Sequence, residues 1–166
     1  MDHWLNNPAA AAARSANQLG DCLARLGQAN AALQLHAVAP AKWAELTALR
    51  DRLNARVGTD AIAFDAIDLS EREDVVLQWL ESHGVHDAWE PAPMLASVGI
   101  GASDLDALSS GLPDGALGDV AIWLASSVET EDLLKSMQET TGTISHLIDA
   151  FKSYTYMDQG EVQDID

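Results

Sequence analysis

The chain has 166 residues, 26 of them Asp or Glu and 9 Lys or Arg, for a net charge of −17. That length suits one compact domain, and 48% apolar residues exclude a disordered acidic tail. The charge repels phosphate backbones and anionic headgroups, so neither nucleic acid nor a membrane is an expected partner.

The pattern is helical throughout, and the fold expected is all-α. The first long helix is predicted from about residue 7, or earlier, to about 37. Leu5, Ala9, Ala12, Ala16, Leu19, Leu23, Leu26, Asn30, Leu33 and Ala37 follow unbroken 4-3-4-3 spacing, which is a heptad seam. Pro40 at the first helical position opens a second helix running to Arg56 and stopping at Gly58. Ser70 and Glu73 form a capping box for a third, carrying Val76, Leu77, Trp79 and Leu80 and ended by Gly84. Residues 87–98 and 103–110 are short helices separated by Gly99 and Gly101. Pro113 begins a turn into a helix at 117–127, with Val120, Trp123 and Leu124 as an apolar stripe. Thr130 is then the N-cap of a last helix, with Glu131 and Asp132 complementing its dipole. Leu134, Met137, Thr141, Ile144, Ile148, Phe151 and Thr155 give it a second heptad seam. Two heptad helices at opposite ends of a short chain predict an antiparallel helical hairpin, which forms a four-helix bundle on dimerisation. The expected organisation is a first hairpin helix at 1–37, a helical insert at 38–128, the second hairpin helix at 129–158 and a linker at 159–166.

The strongest chemical signal is at the start, His3-Trp4-Leu5-Asn6-Asn7-Pro8. If Leu5 is a core position, His3 points to solvent and Asn7 lies one turn along the same flank. An imidazole attacks a phosphoryl centre near neutral pH, and an amide one turn away can hold a hydrolytic water. The residues alone leave open the blander reading, in which His3 belongs to a frayed terminus.

His-x-Leu-Asn-Asn-Pro followed by an alanine-rich helix resembles the H box of bacterial two-component sensor histidine kinases. The stretch Ile144-Ser145-His146-Leu147-Ile148 through Phe151-Lys152-Ser153-Tyr154-Thr155-Tyr156-Met157-Asp158-Gln159 is similar to the second helix of their dimerisation and histidine-phosphotransfer hairpin. Residues 161–166 resemble the strand entering the ATP-binding domain. The likeness is to kinases whose hairpin carries a helical insert. It implies His3 as the phosphoacceptor, Asn7 as support for phosphatase action, and a cytoplasmic homodimer. The implied partners are a response-regulator receiver domain, whose aspartate takes the phosphoryl group, and an ATP-binding kinase domain. This chain itself is expected to hold no cofactor, since ATP and Mg²⁺ belong to that kinase domain. Two departures stand out. The family carries an acidic residue directly after the histidine, where this sequence has Trp4, and the glycine-rich motifs of an ATP-binding domain are absent. The chain is therefore expected to be one module of a larger kinase or a remnant of one. The rival expectation is a non-catalytic dimeric module, a degenerate phosphoacceptor that binds or sequesters a partner kinase or regulator.

Other candidates are weaker. The single cysteine, Cys22, excludes a disulfide framework and any multi-cysteine metal site, and is read as an inert small hydrophobe. His83 and His86 have Gly84 between them and no completing ligand; Asp104 and Asp106 lack the rest of a calcium loop. Asp158, Glu161, Asp164 and Asp166 fit a solvated linker. Trp43, Trp79, Trp89 and Trp123 are read as core anchors. No apolar run, neither the five alanines at 9–13 nor the six residues at 120–125, is long enough to span a bilayer, and no cationic apolar leader opens the chain. Residues 1–57 carry a net +2 and residues 58–166 a net −19.

Overall fold

The computed structural model describes the backbone at residues 3–59 and 64–158 and the side chains at 10–59 and 64–153. The described residues form six helices and no strand, so the all-α expectation holds. The expected strand at 161–166 lies outside the described residues.

Helix α1 (His3–Leu35) ends two residues before the predicted boundary, because Ala37 turns the chain with a φ of +46°. Helix α2 (Pro40–Asn54) starts on its proline and buries Lys42, Leu46, Leu49 and Leu53, spaced 4-3-4 on one face. Helix α3 (Ala66–Ser82) begins four residues before the predicted capping box. The Asp65 carboxylate accepts from the amides of Ile67 and Asp68 at 2.9 and 2.8 Å, so the free N–H groups are satisfied there and Ser70 falls inside the helix. Gly84, at φ +83°, then closes α3: its amide donates to Glu81 O and that of Val85 to Leu80 O, both at 3.0 Å.

The helix expected at 87–98 is only α4 (Ala92–Ser97). Pro91 and Pro93 lack the N–H that a longer helix would need, and the residues before them form turns. Helix α5 (Ala102–Ser109) follows within a residue of its expected bounds. The largest correction concerns the end. Residues 117–127 and the second hairpin helix are one continuous α6 (Ala116–Asp158). Thr130 is no N-cap; its hydroxyl donates to the Ser126 carbonyl one turn back, at 2.7 Å. Residues 119–141 contain neither Gly nor Pro, so nothing interrupts the helix.

The chain divides into two compact units. One, Leu19–Asp132, holds α2 to α5 together with the adjoining parts of α1 and α6, which run antiparallel within it: Arg25 pairs with Glu129, and His36 with Asp119. Its core is well filled, with Leu46, Leu53, Leu80, Leu95, Leu105 and Leu124 all essentially inaccessible. The other unit comprises Met1–Gln18 and Leu133–Asp166, the outer stretches of the two long helices.

Candidate functional site

The backbone is helical from His3 onward, so His3 and Asn7, four residues apart, lie on one face a single turn from each other. The side chains of His3, Trp4 and Asn7 lie outside the described residues, as do those of Asp158, Glu161, Asp164 and Asp166.

Within the outer unit, the partly buried positions of α6 are Leu133, Met137, Thr140, Ile144 and Leu147, again 4-3-4-3, together with Lys135 and Gly142. The predicted seam is only half of this stripe: Leu134 is 39% exposed, Ile148 41% and Thr141 exposed as well. On α1, Ala11, Ala12 and Ser15 are partly covered and Ala16 is exposed. No described side chain of this unit is fully buried. Its helices therefore carry more apolar surface than one hairpin covers, on a face beside the one already used.

In the larger unit the first seam is rotated. Leu19, Leu26 and Leu33 turn inward as predicted, but their companions are Cys22 and Ala29, each one residue before the expected Leu23 and Asn30. Leu23 is 49% exposed and Cys22 fully enclosed. The Cys22 sulfur lies 3.2 Å from Ser126 O, 3.3 Å from Thr130 Oγ1 and 3.4 Å from a Glu129 carboxylate oxygen. Burial pushes its thiol above the ordinary value, with the nearby Glu129 charge adding to the shift and the Thr130 hydrogen bond opposing it. It is thus a poor thiolate and a poor nucleophile. The Glu129 carboxylate also accepts from the Arg25 guanidinium, which raises the guanidinium's already high pKa.

His36, seven residues after Ala29 and fourteen after Cys22, bonds Asp119 at 2.7 Å. That heptad step of Cys22, Ala29 and His36 is the signal that would have found both polar contacts. Lys42, 7% exposed, donates to Ala107 O at 2.8 Å and to Glu45 at 3.1 Å, which satisfies its buried charge.

His83 and His86 are not brought together as ligands. The His83 ring stacks on Trp79 at 3.7 Å between centroids and its Nδ1 lies 2.7 Å from Trp79 O, while His86 sits in an exposed turn. Asp106 accepts from the Trp79 indole at 2.9 Å and Asp104 from the Gly101 amide at 3.2 Å, so both carboxylates are committed to local structure. Among the described residues, no three of His, Cys, Asp and Glu are grouped to hold a metal ion, and no helix is long and apolar enough to cross a membrane.

The chain matches no family model, no curated protein and no solved structure.

Of the tryptophans, Trp123 is a core anchor, packed 5.3 Å from Trp43 and under Arg50. Trp79 is half-buried. Trp43 and Trp89 depart from the core expectation, at 37% and 68% exposed. His146, on α6, is exposed, and the structure gives it no partner that would assign it a role.

Proposed function

We propose that this chain is the dimerisation and histidine-phosphotransfer segment of a bacterial two-component sensor histidine kinase, with His3 as phosphoacceptor. The observation that carries the reading is the outer unit. It pairs the outer stretches of two long helices, buries none of its described side chains fully, and leaves Leu134 and Ile148 exposed along α6. A second copy of the same hairpin would cover that face and complete a four-helix bundle. The H-box-like residues at the start of α1 would then stand on the outside of the bundle, within reach of partner domains.

In this reading the neutral His3 imidazole attacks the γ-phosphorus of ATP held by an ATP-binding kinase domain. An N–P bond forms, the bond from that phosphorus to the β-phosphate oxygen breaks, ADP leaves, and the other ring nitrogen gives up its proton to solvent. A receiver aspartate next attacks the same phosphorus, the N–P bond breaks and the imidazole regains a proton. Asn7, one turn away, would orient a water for hydrolysis instead.

The test supplies a cognate ATP-binding domain in trans with γ-labelled ATP. Acid-labile label on the chain, lost in His3→Gln, supports the proposal; no label above that control overturns it. Trp4, in place of the usual acidic neighbour, favours the second reading, a non-catalytic dimeric module that sequesters a kinase or regulator. Uptake in Trp4→Glu but not in the native chain would establish that module.

A further inference from the structure

The larger unit has an open trough that the phosphotransfer reading does not use. One stretch, of about 200 Å³, is lined by Arg25, Glu90, Pro91, Met94, Ala125 and Glu129. The adjoining stretch, of about 230 Å³, is lined by Gln28, Ala29, Ala32 and Asp119, and the two share Arg25, Glu90 and Ile122. From Asp119 to Glu129 the α6 wall rises roughly 15 Å, the length of about three helical turns.

Three features say what fits there. First, Trp89, beside Glu90, leaves 68% of its surface in water. It stands next to Glu90 in the chain, just before Pro91 and Pro93, which stiffen the backbone of this wall. Second, the charge at the trough is one-sided. Arg25 is committed to Glu129, and Asp119 to His36, but the Glu90 carboxylate has no ion partner among the described residues. Third, the whole unit, Leu19–Asp132, holds 19 acids and 6 bases, a net −13 that draws cations to the unit as a whole.

We propose that this trough is a docking surface for a cationic amphipathic helix of a partner protein. An apolar edge of that helix lies over Ile122, Ala125 and Met94, and a Lys or Arg reaches Glu90 beside the Trp89 ring. The surface is independent of the phosphoacceptor, so the module binds a basic partner whether or not His3 is phosphorylated.

The probe is a fluorescein-labelled 14-residue Leu/Lys peptide with leucine at helical spacing, against a scrambled peptide of equal composition, read by anisotropy with the full chain at 150 mM salt. The helical peptide should bind at least about fivefold tighter than the scrambled one. Trp89→Ser and Glu90→Lys should each weaken it roughly tenfold, as loss of an anchoring aromatic or charge does. Asp74→Lys on α3, an equal charge change elsewhere, should alter it less than about twofold, and His3→Gln not at all. Far-UV circular dichroism verifies that each variant is folded. Equal binding of both peptides, or an equal loss in Asp74→Lys, would reduce the effect to bulk charge and overturn the proposal. So would absence of binding. Growth in mass by light scattering that Trp89→Ser abolishes would assign the trough to a second copy of this chain instead.

Discussion

Cys22 stands where a heptad helix would ordinarily show its flank. It is enclosed because α1, in the larger unit, turns one residue further toward its neighbours than the leucine spacing predicts. The consequence is a titration. Burial holds the folded thiol protonated beyond its ordinary value, while the unfolded chain ionises it from about pH 8.5 upward. Above that pH the unfolded state binds fewer protons than the folded one, so stability is intact below it and declines as the pH rises. Urea midpoints followed by tryptophan fluorescence should fall between pH 8.5 and 10.5. Cys22→Ala, which has no thiol to ionise, should show a shallower fall than the native chain; parallel curves would remove the thiol from the effect. What the heptad count could not resolve at this scale was rotation. Leucines at 19, 26 and 33 define one edge of a stripe, and either Cys22 and Ala29 or Leu23 and Asn30 complete it. Only the helices packed against α1 decide between them.

At the scale of helices, boundaries follow the first group able to satisfy free backbone amides, not the strongest sequence motif. Asp65 and the pair Ser70/Glu73 are both credible caps, and the structure uses Asp65. Asp65→Ala should therefore cost about 1 kcal/mol of stability in urea unfolding, and Ser70→Ala, inside α3, little or nothing. The reverse order would restore the later start. The helix types and their sequence order were readable from periodicity, glycine and proline alone, and so was the inward face formed by Val120, Trp123 and Leu124. The fusion of 117–127 with the last helix was not, because Thr130-Glu131-Asp132 has the composition of a helix start. A hydroxyl that returns its hydrogen bond to the preceding turn makes the same residue neutral inside a helix. The candidate site was readable only as a motif at residues 3–8. The contacts that hold the larger unit together across α1 and α6 join residues more than 80 positions apart, and no local pattern encodes such pairs.

For the whole molecule, the two units differ in what they can bury alone. The larger closes over a leucine-rich core; the outer one, helical on both strands, has no fully buried side chain among those described. Paired helices with so little enclosed surface are marginal in water, since most helical stability comes from packing of an apolar face. If a second copy supplies that packing, the stability of the outer unit depends on protein concentration and that of the larger unit does not. Native-state hydrogen exchange separates them. Amides at 133–150 should gain protection as the chain rises from about 1 to 100 μM, while those of α2 and α5 keep theirs. Ile148→Asp places a charge on the exposed stripe, which the monomer tolerates and a dimer interface does not. It should give a monomer by light scattering and erase the concentration dependence, with the exchange of α2 and α5 unchanged. Protection at 133–150 that is high, independent of concentration and insensitive to Ile148→Asp would mean that the outer unit stands without a second copy, and the four-helix bundle would fall with it.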